Sequence, residues 1–125
     1  MAPDLTVANG LPADRLSHAA GVERTYLDDP LNHKRISARL ARYIFDAGPE
    51  VIAAAPQWTV PTLLQIAGSD QLVDPAGARA FAKAAPDRTV EFHDYAGLYH
   101  EIYNEAEPAR SKVVNDLMAW LNTRL

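Results

Sequence analysis

Apolar residues recur at three- and four-residue steps in three stretches of this chain, and at two-residue or unbroken spacing in two others. Ile36, Leu40, Tyr43, Ile44 and Ala47 share one face of a helix predicted over 34–47. Gly48-Pro49 is expected to end it, a glycine past the last turn and then a residue that cannot continue a helix. A short helical stretch over 50–55 is expected before Pro56. Residues 59–67 predict a strand. Its near-continuous run of Leu63, Leu64 and Ile66 is typical of a strand covered on both faces, hence of a parallel sheet, and Pro61 sits at its start, where a missing N–H is tolerated. Asp74-Pro75 reads as an N-cap acid and a first-turn proline opening a helix over 75–85, with Ala78, Phe81, Ala82 and Ala85 as its buried stripe. A second strand over 89–93 alternates Val90 and Phe92 with Glu91 and His93, so one face is wetter. Glu105, Glu107 and Pro108 put negative charge at the start of a last helix, 107–123, on which Val113, Leu117, Trp120 and Leu121 keep helical spacing. Strand, helix, strand, helix predicts an α/β fold with a right-handed crossover between parallel strands. Residues 1 to about 32, punctuated by Pro3, Gly10, Pro12, Gly21 and Pro30, predict loop with one or two short helical turns, outside the core.

At 125 residues the chain is one domain's worth, and 48% apolar with 22% charged residues is the composition of a packed domain. A net charge of −4 builds no positive field, so no nucleic-acid partner is expected. The absence of cysteine excludes disulfides, thiolate metal sites and a cysteine nucleophile. No His-x-x-His or Glu-x-x-His spacing supports a metal, and no cofactor is expected. No basic leader precedes an apolar run, and no apolar stretch approaches the roughly 20 residues of a membrane helix. The expectation is therefore a soluble cytoplasmic protein without a transmembrane segment.

Two residues stand where α/β sheets carry their chemistry, just beyond the carboxyl ends of strands. Asp70 follows the first strand after Ala67-Gly68-Ser69, and His100 follows the second after the loop 94–99. An acid bonded to one imidazole nitrogen fixes the tautomer and leaves the other nitrogen as a general base. Acid before histidine is the tail of the Ser…Asp…His order. Taken singly each has a plainer reading: Asp70 as a turn residue or cap, His100 as a surface histidine. Asp74 competes for the acid role but is already explained as an N-cap. Glu101 and Glu105 read either as capping and orienting the loop around His100 or as a solvated helix start. His93 is expected to point out of its strand, and His18 and His33 lie in punctuated or helix-start sequence. None of the four serines suits a nucleophile: Ser17, Ser37 (inside the predicted helix), Ser69 and Ser111 all lack a Gly-x-Ser-x-Gly elbow, which occurs nowhere in the chain.

The segments Asp28-Asp-Pro-Leu-Asn-His33, Val60 to Val73, Tyr95 to Glu105 and Asp116 to Leu121 together resemble the C-terminal part of a serine hydrolase of the monoacylglycerol lipase (lysophospholipase-like) family, within the α/β-hydrolase superfamily. The likeness runs from about Leu11 to the end. It implies an incomplete α/β-hydrolase fold: the last two parallel strands of the sheet with flanking helices, plus the end of a cap over residues 1–33 and a core part over 34–125. It also implies that Asp70 is the triad acid and His100 the triad base, that the substrate is a small ester or monoacylglycerol-like lipid, and that no metal or cofactor takes part. The oxyanion loop and serine elbow of such an enzyme are not in this sequence. The chain is thus expected to be inactive alone, or to be a non-catalytic α/β module that pairs with an N-terminal half or self-associates through an open sheet edge. A relative whose nucleophile is an aspartate rather than a serine is a third reading.

Overall fold

The computed structural model describes residues 5–124. In chain order the elements are β1 (Thr6–Ala8), α1 (Val22–Asp28), β2 (Arg35–Ser37), α2 (Ala38–Ala54), β3 (Thr62–Ala67), α3 (Ala76–Ala84), β4 (Val90–Tyr95) and α4 (Ala109–Asn122), with single 3-10 turns at Ala13–Arg15, Ala55–Gln57 and Ile102–Asn104. None of the described helices is long and apolar enough to cross a membrane.

β3 and β4 run parallel, paired from Thr62↔Val90 to Ala67↔Tyr95, so their carboxyl ends finish level. The α/β class expected from the alternating pattern is what the chain adopts. Leu64 and Val90 face a cluster with Ile52, Ala55, Trp58, Phe81 and Ala85, supplied by α2, the turn after it, α3 and the α3–β4 junction. Ala67 and Tyr95 lie an odd number of residues on from Leu64 and Val90, so the pleat turns them the other way, and they pack with Ile102 and with Val113 of α4. The short sheet is therefore covered on both faces, by α2 and α3 on one side and α4 on the other.

The amino-terminal third departs from expectation. Residues 35–37 are not the start of the long helix but a strand, paired antiparallel with β1 in the register Thr6↔Ser37, Val7↔Ile36, Ala8↔Arg35. Arg35 adds a side-chain bond from Nε to Thr6 Oγ1 at 2.8 Å. Ser37, expected inside the helix, caps it instead, its Oγ accepting the Leu40 N–H at 3.1 Å. The helix does not stop at Gly48-Pro49 either; Pro49 lies within α2. Proline's missing N–H and its clash with the preceding turn disfavour this, but the turns beyond it place Ile52 and Ala55 in the core against Phe81 and Trp58, and that burial prevails. Leu16, in the stretch expected outside the core, is buried. β3 begins at Thr62 rather than 59, where the Thr62 hydroxyl bonds the Val60 carbonyl and accepts from Trp58 Nε1.

Candidate active site

Past Ala67 the chain turns at Gly68, whose N–H donates to the Tyr95 carbonyl at 2.9 Å. A Cβ at this glycine would lie 2.4 Å from Asp94 Oδ1 and 2.9 Å from backbone atoms of Tyr95 and Ala96, so only glycine lets the two strand ends come this close. The Ser69 N–H bonds the Leu98 carbonyl at 3.1 Å, tying the loop after β3 to the loop after β4. Gly97, at φ +83°, provides the left-handed turn that sends the second loop back.

This stitching brings Asp70 and His100 together. Asp70 Oδ2 lies 2.7 Å from His100 Nδ1, while Oδ1 accepts the N–H groups of Leu72 at 2.8 Å and Val73 at 3.0 Å. Partial burial works against the charge on Asp70, but the His100 bond and the two backbone donors outweigh it and hold the carboxyl below its ordinary range. Because an ionised Asp70 only accepts, Nδ1 must carry the proton, and the lone pair of a neutral His100 then sits on Nε2. Both residues line an open cavity of about 550 Å³, whose wall includes Ile66, Val73, Ala78 and Ile102. The arrangement suits proton transfer at Nε2 to or from something bound in that cavity.

The family model described as "Serine aminopeptidase, S33" matches residues 1–107. The chain belongs to this hydrolase family. Over its whole length it is 32% identical to the monoacylglycerol lipase of Mycolicibacterium smegmatis and covers 44% of that protein. The crystal structure of the Paleococcus ferrophilus monoacylglycerol lipase matches all of the chain at a TM-score of 0.92 and 27% identity, with 48% of the lipase covered. A soluble variant of monoglyceride lipase from Saccharomyces cerevisiae matches 97% of the chain at a TM-score of 0.81, covering 44% of that enzyme; at 19% identity it shows the fold alone. The chain thus spans less than half the length of these relatives. Its two parallel strands and flanking helices are part of an α/β-hydrolase fold.

Asp74 and Glu101 line the same cavity as the Asp70–His100 pair but have hydrogen-bond partners of their own. Asp74 Oδ1 accepts the Ala76 N–H at 2.9 Å at the start of α3. His93 lies 2.9 Å from Glu91 and 3.4 Å from Asp116, away from the cavity. Glu101 lines the cavity and accepts from Asn104 Nδ2 at 2.7 Å. Among the described residues no three His, Cys, Asp or Glu side chains gather as a metal would need.

The sequence left one feature open and gave little sign of another. Glu105 is no solvated helix start: it is 4% exposed and accepts from Tyr99, His18 and Ala106. Gln65, in mid-β3, donates to the Tyr95 hydroxyl at 2.6 Å and to the Val113 carbonyl at 3.0 Å, and the Tyr95 hydroxyl donates to Asp116 at 2.8 Å. Burial, reinforced by Asp116, pushes the Tyr95 phenol up to about 12. A polar residue interrupting the apolar run at 65 was the one available signal for this network.

Proposed function

We propose that this chain supplies the acid and the base of a serine ester hydrolase acting on monoacylglycerol- or lysophospholipid-like esters. The observation that carries the reading is the 2.7 Å contact of Asp70 Oδ2 with His100 Nδ1 beyond two adjacent parallel strand ends. In the intact enzyme a serine from the remainder of the fold attacks the ester carbonyl. Nε2 of His100 takes the serine proton and returns it to the leaving alcohol; water then enters by the same exchange and frees the acid. Asp70 holds the tautomer and stabilises the imidazolium. Residues 1–33 serve as the end of the cap over the acyl site, and 34–125 as the carboxyl-terminal part of the core. Alone, the chain is inactive, because triad members act as a unit.

Co-expression with the amino-terminal half of a related lipase, followed by a short-chain ester assay, tests this. Turnover is expected only from the pair and is lost in His100→Ala. Hydrolysis by the isolated chain that survives replacement of all four serines, but not of His100, would overturn the serine account.

A second reading is favoured by a separate observation. Leu40, Tyr43, Ile44 and Phe45 on α2 are 50–79% exposed, and among the described residues no third strand pairs with the β3–β4 sheet. A non-catalytic module that pairs with a partner chain, or self-associates through the open sheet edge, would cover both surfaces. A compact monomer unchanged by dilution in size-exclusion chromatography would count against it.

A further inference from the structure

The ring of His100 is not fixed by packing, since its side chain is 39% exposed. Its backbone, however, is gripped on both sides. The preceding N–H, of Tyr99, donates to Glu105 Oε1 at 2.8 Å, and the following N–H, of Glu101, donates to the Leu16 carbonyl at 2.8 Å. Both grips lead to one strap, residues 16–18. Leu16 is buried, His18 bonds Glu105 through Nδ1 at 2.9 Å and through its backbone N–H at 3.1 Å, and the Ser17 hydroxyl lies 2.9 Å from the Asn104 carbonyl and 3.3 Å from Glu105. The His18 ring also stacks on Tyr99, 3.7 Å between centroids.

Burying a carboxylate is costly unless it is fully bonded, and a simple loop cap needs no charge. A charged fork contributes two oxygens in fixed geometry and bonds about twice as strong as neutral ones. That suits a site where a catalytic group must be held to within roughly 0.5 Å.

We propose that Glu105 is a positioning residue: with strap 16–18 it locks the backbone on either side of His100 so that Nδ1 stays on Asp70. Its catalytic consequence rests on the acid–base reading above, but its geometry does not.

The test is read on the ring itself. In the isotope-labelled chain at mildly alkaline pH, nitrogen shifts of His100 report which ring nitrogen holds the proton. Glu105→Gln keeps the size but cannot accept at both ends, and the ratio of Nδ1–H to Nε2–H tautomers is expected to fall by about fivefold. His18→Phe keeps the stack on Tyr99, removes one bond to Glu105, and should move the ratio the same way. A folded Glu105→Gln chain with the native ratio overturns the proposal. If that variant does not fold, a native ratio in His18→Phe overturns it. A purely structural Glu105 would lower the melting temperature and leave the tautomers unmoved. Because the ratio needs no substrate, a complemented enzyme without hydrolysis would refute the hydrolase reading and leave this one standing.

Discussion

Asp70 and His100 show how far single residues can be read from a sequence. Their positions after two strands, in acid-then-histidine order, were visible, and their meeting was expected from them; what the pattern did not show is that the contact depends on Gly68 allowing the two loops to touch. Asp70→Asn tests the pair most directly. An amide would donate to Nδ1, shift the proton to Nε2 and remove the base, so a loss of about 10⁴-fold in hydrolysis by the complemented enzyme is expected. Glu105 was ambiguous for a physical reason: acids beside Pro108 fit a helix start, and nothing local reveals that Ser17 and His18 arrive from more than eighty residues away. Its carboxyl is held below the ordinary range, burial opposing and the Tyr99 and His18 bonds prevailing. A carboxylate with a depressed folded pKa stabilises fully above its unfolded value, about 4.3 for glutamate, and that contribution is lost as pH falls through the lower folded value. Thermal melts should therefore hold from neutral pH to about 5 and drop toward 3, less steeply in Glu105→Gln. Equal slopes in the two proteins would deny Glu105 that share.

At the scale of elements, β3, α3, β4 and α4 were legible because each has a clean period and an apolar stripe that meets the sheet. β1 and β2 were not: three-residue strands carry too little pattern, and Ile36 fits a helix face as well as it fits pairing with Val7. Gly48-Pro49 misled because a local stop signal yields where the next turn reaches the core, as Ile52 and Ala55 do. The junction after β3 gives the clearest element-level prediction. Gly68→Ala forces the backbone of 95–96 and the Asp94 carboxylate aside, and is expected to cost about 1–3 kcal/mol by chemical denaturation. It should also weaken the Asp70–His100 contact, visible as faster exchange of the Nδ1 proton. A variant as stable as the parent would mean that the two strand ends are further apart than described.

For the whole molecule, coverage and exposure agree. In a chain that spans less than half of its relatives, the long helix α2 has no fully buried residue and carries a row of bare aromatic and aliphatic side chains. Such a surface drives association in water. Sedimentation of the purified chain is expected to show concentration-dependent assembly that Ile44→Asp with Phe45→Asp reverses; a sharp monomer before substitution would argue against it. The β1–β2 ribbon carries a different consequence. It pins residues 8 and 35 side by side, so the excursion between them leaves and returns through one doorway. Doubling the length of a closed loop costs only about 0.6 kcal/mol. Beyond the strap at 16–18, then, that excursion can be lengthened, shortened or exchanged between relatives at little thermodynamic expense, while the Asp70–His100 pair stays where it is.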